Sequence, residues 1–201
     1  MKRFLVGMFL VLASGLWLSP SIALAQQKFV IKPLAEKKVS ELPIEPLFWR
    51  LENFGTLALA QAAAGPWSLA AESGGKAWLF TLGPAGGSAP GGTKVAEVGP
   101  IPRVVATQYL LRINEASGPP GSKTPAHTHP GSEAFYVLAG ETSSHTPHGV
   151  ARVAAGHTST GNVADTPMRV SSSGTTNLHS LVMFVVDANR PFSSPAELTA
   201  R

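Results

Sequence analysis

Cysteine is absent from this sequence of 201 residues. Disulfide bonds, thiolate metal ligands and a lipid-modified cysteine are therefore excluded, and stability must come from packing or from a bound metal. Charged residues are also scarce, at 14% of the chain against 44% apolar residues. A chain of this length and composition can bury one sizeable core, so we expect a single domain.

The chain also lacks a strong net charge, with 16 Lys and Arg residues against 12 Asp and Glu residues. Two of the basic residues lie in the first 25 positions, which hold no acidic residue, so residues 26–201 carry 14 basic and 12 acidic residues, a net charge of +2. Binding to nucleic acid would require a concentrated basic patch. We therefore expect no nucleic-acid partner.

The longest apolar run lies at the N-terminus. Two basic residues precede apolar residues 4–18, and the small residues of Ala-Leu-Ala then end at Ala25. This order is typical of a secretory signal peptide that is cleaved before Gln26, which predicts a periplasmic or secreted mature protein. An uncleaved membrane anchor is the alternative, since the apolar stretch is just long enough to span a bilayer. Pro20 and the cleavage site favour removal, so we expect no stable membrane insertion afterwards.

Glycine (20 residues) and proline (17 residues) are abundant, and few stretches favour helix. This composition indicates a mainly β protein with many turns. One short helix is predicted at 57–64, where an alanine-rich stretch ends at Gly65-Pro66. Short strands separated by turn residues, as in a closed or sandwiched antiparallel sheet, are predicted at 67–72, 76–82, 94–98, 103–114, 133–138, 141–145, 150–154 and 178–187.

The most informative segment is 121–140, which reads GSKTPAHTHPGSEAFYVLAG. Residues i and i+2 of a strand face the same side, so His127 and His129 can point into one cavity. The intervening turn would bring Glu133 beside both. Two imidazoles and a carboxylate with open positions suit non-haem Fe(II), while Mn, Zn, Ni or Cu remain alternatives. Taken alone, two exposed histidines beside an unrelated Glu would be an equally good interpretation.

The full spacing of this segment resembles the first motif of the cupin superfamily. The motif is Gly, five residues, His-x-His, three residues, Glu, six residues and Gly, here Gly121, His127, His129, Glu133 and Gly140. A chance match is on the order of one in ten thousand, which is the false-positive risk of the motif. The resemblance implies an all-β fold, a cupin-like double-stranded β-helix (jelly-roll) barrel with a short N-terminal helix. It also implies one divalent metal ion near one mouth, and it is compatible with a homodimer.

The predicted organisation follows from this resemblance. The parts are a signal peptide at 1–25, an irregular lead-in segment at 26–50, the short helix and N-terminal strands at 51–108, the motif region at 109–187 and a C-terminal tail at 188–201.

The second motif of the superfamily is degraded in this chain. Gly156 stands at the right distance, but Asn162 and Ala164 occupy the places of its turn residues. With one residue inserted in the spacing, Met168 replaces the third histidine, and Ser172 replaces an Asn. A thioether ligand would favour Cu(I). The preferred interpretation is that Met168 fills the core, because methionine adapts to irregular gaps.

Two functions are compatible with these residues. The first is a metal-dependent dioxygenase or related oxidoreductase acting on a small organic molecule, with His127, His129 and Glu133 as metal ligands. The second is a protein that binds a small molecule or a metal without turnover. The remaining histidines predict little, since His145 and His148 flank a hairpin turn and a lone His179 on a strand more often packs or faces solvent.

Overall fold

The computed structural model describes residues 28–44 and 46–198, so the signal peptide predicted at 1–25 lies outside the described residues. No helix in the described part of the chain is long and apolar enough to cross a membrane. The elements in chain order are β1 (Val30–Val39), β2 (Phe48–Phe54), α1 (Leu57–Ala62), β3 (Ser68–Ser73), β4 (Lys76–Gly83), β5 (Thr93–Val98), β6 (Tyr109–Gly118), β7 (His127–Thr128), β8 (Gly131–Ala139), β9 (Glu141–Thr146), β10 (Gly149–Ala154), β11 (Thr158–Ser159), β12 (Arg169–Ser172), β13 (Leu178–Asp187) and β14 (Ser194–Pro195).

A five-stranded antiparallel sheet with the order β1-β6-β13-β8-β11 forms the middle of the described structure. Its strand β13 is buried along almost its whole length because other layers cover both faces of the sheet. Alternation along each strand divides the side chains between these layers. One row that faces the smaller layer runs from Arg112 through Phe184 to Glu133 across three neighbouring strands.

The smaller layer contains the three-stranded sheet β10-β9-β12 and the two-stranded sheet β14-β7. Met168 and Val170 from this side pack in one cluster with Phe135, Val182 and Phe184 of the middle sheet. Two antiparallel sheets therefore face each other around an apolar interior, in the arrangement of a double-stranded β-helix. The all-β, cupin-like fold predicted from the sequence is confirmed.

The opposite face of the middle sheet is covered by the four-stranded sheet β3-β4-β2-β5. Trp49, Trp78 and Phe80 of this sheet are fully buried against a face that includes Ile113 and Met183. The N-terminal half of the chain thus adds a third layer, and it shares a large core with the middle sheet. At one end of this layer, the Thr56 side chain accepts a hydrogen bond from the Leu59 N–H and caps α1.

Two predictions about the N-terminal half are wrong. The lead-in at 26–50 is not irregular throughout, because β1 pairs with β6 along its whole length and β2 begins at Phe48. Pro33 is tolerated because β1 is an edge strand and its register shifts just after this residue. The strand predicted at 103–114 instead spans Tyr109–Gly118. The hairpin of β3 and β4 and the short helix are confirmed to within two residues.

Candidate functional site

His127 and His129 both lie just before β8 in the chain. His127 is in β7, where its backbone pairs with Pro195 of β14 on one side and with Met168 on the other. His129 follows directly and is 5% exposed. The two imidazole rings are nearly perpendicular, with 4.9 Å between their centres. Both line one cavity of about 380 Å³.

Glu133 lines the same cavity from β8, directly opposite Phe184 of β13. Two glycines allow the surrounding backbone to come this close. A Cβ at Gly131 would overlap the Val185 backbone, and a Cβ at Gly161 would overlap the Glu133 carbonyl oxygen. Gly161 also has a positive φ of 68°, which L side chains rarely adopt. The position of Glu133 therefore depends on a glycine distant in sequence.

Hydrogen bonds to backbone carbonyl oxygens fix the tautomer of both histidines. His127 Nδ1 lies 2.9 Å from the Pro125 carbonyl oxygen, and His129 Nδ1 lies 2.7 Å from the Phe192 carbonyl oxygen. A carbonyl only accepts, so each Nδ1 donates and carries the hydrogen. Each Nε2 then keeps a free lone pair, which is the arrangement of histidines that bind metals.

The carboxyl of Glu133 is buried without a cationic partner. Burial raises its pKa from 4.5 to about 7, although the Asn162 amide donates a hydrogen bond of 3.3 Å to it and acts in the opposite direction. The nearest imidazole atom, His129 Nε2, is 3.8 Å away, which is too long for a hydrogen bond. Burial also lowers the pKa of His129 from 6.5 to about 4. The two groups therefore favour their neutral forms at mildly acidic pH.

These residues have the donor atoms of a metal site but do not form a closed set of ligands. Among residues 28–44 and 46–198, no three His, Asp or Glu side chains converge closely enough to hold an ion. Two atoms bound to one ion are at most about 4.2 Å apart, twice a typical metal–ligand distance of about 2.1 Å. The 3.8 Å between His129 Nε2 and Glu133 Oε2 is within that limit. A divalent cation fits this donor set, because it would partner a buried carboxylate and two free imidazole lone pairs.

The rest of the cavity wall is mostly apolar and aromatic, and its polar residues are Asn114, Thr124 and Ser193. The rings of Phe184 and Phe192 lie 4.9 Å and 4.8 Å from the His129 ring. The Arg112 guanidinium lies 4.3 Å above the centre of the Phe192 ring, on the row that leads to Glu133. Sequence reasoning missed Phe192, because nothing in the predicted C-terminal tail indicated that it folds back. For the polar residues on this side of β6, a sequence signal did exist. Arg112 and Asn114 are two residues apart in the strand, so both side chains are expected on the same face.

Met168 lies in the core and is 1% exposed. It packs with Phe135 and Val170 and is not part of the cavity wall. Its sulfur is 3.5 Å from the Asn162 amide nitrogen, the same nitrogen that donates to Glu133. The core-filling interpretation of Met168 agrees with this placement. Asn162, which the sequence placed in a degraded turn, supports the Glu133 carboxyl instead.

The other histidines lie away from the cavity. His145, His148 and His157 are exposed, and for His145 and His148 this agrees with their predicted position beside a hairpin turn. His179 Nε2 is 3.1 Å from both Ser73 Oγ and a Glu115 carboxylate oxygen. This contact joins the β3–β4 hairpin to the middle sheet on the face opposite the cavity.

No protein-family model matches the chain, and no curated protein matches it. Solved structures do share its fold. A cupin-like protein from Thermotoga maritima is similar at 12% identity over 44% of this chain and 65% of that chain, with a TM-score of 0.39. A protein with a double-stranded β-helix domain from Klebsiella pneumoniae is similar at 21% identity over 43% of this chain and 75% of that chain, with a TM-score of 0.37.

A DMSP lyase from Ruegeria pomeroyi is similar at 21% identity over 45% of each chain, with a TM-score of 0.38. The matched region thus spans less than half of the length of this lyase.

Proposed function

We propose that this protein, whose fold is of the cupin type, binds one divalent metal ion through His127, His129 and Glu133 beside a cavity for a small organic molecule. It acts outside the cytoplasm, in the periplasm or as a secreted protein, after removal of residues 1–25.

The observation that carries the proposal is that His127, His129 and Glu133 line the same cavity. Both imidazoles have Nδ1 bound to a backbone carbonyl and Nε2 free, and the third side chain is a buried carboxylate without a cation. Burying a charge without a partner is costly, and a metal ion would supply that partner. The apolar remainder of the cavity offers a place for an organic ligand next to the ion.

An enzyme of the dioxygenase or related oxidoreductase class is the catalytic form of this proposal. Three protein ligands leave positions of the ion open, and Met168 lies in the core rather than among them. A redox-active ion in this position would supply oxygen activation. The chain's own residues would orient the organic molecule against Phe135 and Phe184 and keep water away from it.

A non-catalytic binding protein is the second candidate. The observation in its favour is that Met168, which replaces the third histidine of the degraded second motif, is buried in the core, so the site would have three protein ligands and not four.

Elemental analysis and metal titration of untagged residues 26–201 test the proposal. We expect about one equivalent of metal in the wild type and an affinity reduced by more than about 100-fold in His129→Gln and Glu133→Gln, since loss of even a supporting residue costs about 10- to 100-fold. His148→Ala is the matched control, because it removes an exposed histidine outside the cavity. Full metal binding in both cavity variants would contradict the proposal.

The identity of the bound metal separates the two candidates. Iron, manganese or copper together with oxygen consumption in the presence of small organic compounds would support the enzyme. Zinc, or no oxygen consumption with any of these metals, would support the binding protein.

A further inference from the structure

Asn114 is a polar residue in the apolar part of the cavity wall. It lies on β6 opposite Val182, which in turn lies opposite Phe135, so the three side chains form one row across the middle sheet. All three line the cavity. Asn114 is only 2% exposed. An amide in such surroundings is costly unless both of its ends find partners.

The orientation of the Asn114 amide follows from its neighbour. Arg112 Nε lies 3.0 Å from Asn114 Oδ1 and donates to it. A guanidinium has only donors, so the oxygen of the amide must face Arg112 and the Nδ2 must point elsewhere. No acceptor in the described part of the chain receives this Nδ2. In the same residues, the buried side-chain polar atoms that lack a hydrogen-bond partner are Trp49 Nε1 and Ser172 Oγ. Asn114 Nδ2 is not among them, so this unpaired nitrogen is not fully enclosed by protein and faces the cavity that Asn114 lines.

The charge beside Asn114 is already compensated. The guanidinium of Arg112 pairs with Glu36 at 3.3 Å and lies over the Phe192 ring. It therefore presents no unpaired cation to a ligand in the cavity. Because no unpaired cation is available to compensate a carboxylate, the ligand group that best accepts a hydrogen bond from Asn114 Nδ2 is a neutral oxygen.

We infer that the cavity takes a small, largely apolar aromatic ligand with a neutral carbonyl oxygen, and that Asn114 Nδ2 donates a hydrogen bond to this oxygen. The phenylalanine side chains of the wall favour a flat ring. Strands β6 and β8 are two strand spacings apart, so Asn114 and the Glu133 end of the cavity are separated by about 10 Å across the sheet. A single ring with a carbonyl group fits within this span. This inference rests on the proposed function, because it assigns the ligand class of the same cavity.

Two probes of the same shape test the inference. Acetophenone carries a carbonyl oxygen, and α-methylstyrene replaces that oxygen by a CH₂ group. The dissociation constants of both are measured by NMR titration of residues 26–201 in EDTA. The variant Asn114→Leu keeps the number and branching of the side-chain heavy atoms and removes the donor. Val182→Ala is the matched control, because it alters the same row of the wall without removing a polar atom.

The measured quantity is the preference for acetophenone over α-methylstyrene, given by the ratio of their dissociation constants. We expect Asn114→Leu to reduce this preference about fivefold to tenfold, the effect of one buried hydrogen bond, and Val182→Ala to leave it unchanged within a factor of about two. An equal change in both variants would overturn the inference, as would a wild type that binds neither probe. Tighter binding of benzoate than of acetophenone would overturn the assignment of a neutral oxygen.

The metal-free condition keeps this test separate from that of the proposed function. A protein that binds metal through the three cavity residues but shows no effect of Asn114→Leu would refute only the ligand class. A protein that shows the effect but binds no metal would refute only the metal site.

Discussion

Glu133 and His129 face each other in the cavity, and burial shifts their pKa values in opposite directions. The Glu133 pKa is raised from 4.5 to about 7, so its contribution to stability is present below pH 4.5 and is lost as the pH rises through 7. The His129 pKa is lowered from 6.5 to about 4, so its contribution is present above pH 6.5 and is lost as the pH falls through 4. In the metal-free wild type the two contributions largely cancel between these limits.

Removing one group should reveal the contribution of the other. Relative to the wild type in EDTA, the free energy of unfolding of Glu133→Gln should rise by about 3 kcal/mol between pH 4.5 and 7, since one pKa unit corresponds to about 1.4 kcal/mol. His129→Gln should show the opposite trend between pH 4 and 6.5. Urea unfolding at a series of pH values measures both, and parallel curves for the two variants would contradict the assigned protonation states.

Gly161 is expected to hold the turn against Glu133. In Gly161→Ala, the new Cβ would meet the Glu133 carbonyl oxygen in a backbone that also has a positive φ. Gly156→Ala is the control, since its φ of 81° is similarly strained but its Cβ would meet nothing within 4 Å. We expect Gly156→Ala to cost about 1–2 kcal/mol of unfolding free energy and Gly161→Ala to cost more and also weaken metal binding. Equal losses in the two variants would show that the contact is unimportant.

The C-terminal segment 188–201 was expected to be a tail, but it supports the candidate site. β14 pairs with β7 beside His127, and the Phe192 carbonyl fixes the tautomer of His129. A chain that ends at Arg190 loses both supports and should bind metal about 10- to 100-fold more weakly. A chain that ends at Leu198 keeps both and serves as the control. Metal titration of the two truncated proteins measures the difference, and equal affinities would argue against support from this segment.

Elements with local signals could be predicted from the sequence, and elements that depend on tertiary contacts could not. The β3–β4 hairpin follows from two apolar runs joined by glycines, of which Gly74 and Gly75 have positive φ. Strand β1 was missed because Pro33 within it argues against a strand, although an edge position tolerates this residue. At the site, the spacing of the first motif indicated His127, His129 and Glu133. No local pattern indicated the contacts of Asn162 and Phe192 with those residues.

At the scale of the whole molecule, the middle sheet is covered on both faces, so the N-terminal strands and the motif region share one core. Trp49 and Trp78 of the N-terminal layer are completely buried against Ile113 and Met183. The motif region is therefore not expected to fold without the N-terminal strands, because its outer face would expose a large apolar surface.

Export of the protein is a prediction that concerns the full-length sequence. When the complete sequence is expressed in a bacterium, the mature protein should be recovered from the periplasm or the medium with Gln26 as its first residue. Replacing Ala23 and Ala25 by bulky residues should block cleavage, because the site requires small side chains. Mass spectrometry of the N-terminus measures this, and a mature protein that retains residues 1–25 would favour the membrane anchor instead.

Metal binding by the three cavity residues is tested most directly by an anomalous diffraction map of crystals of residues 26–201, recorded at the absorption edge of the bound metal. We expect one peak within about 2.0–2.2 Å of Nε2 of His127, Nε2 of His129 and a carboxylate oxygen of Glu133. A peak at another position, or no peak in crystals grown with excess metal, would contradict binding at this site.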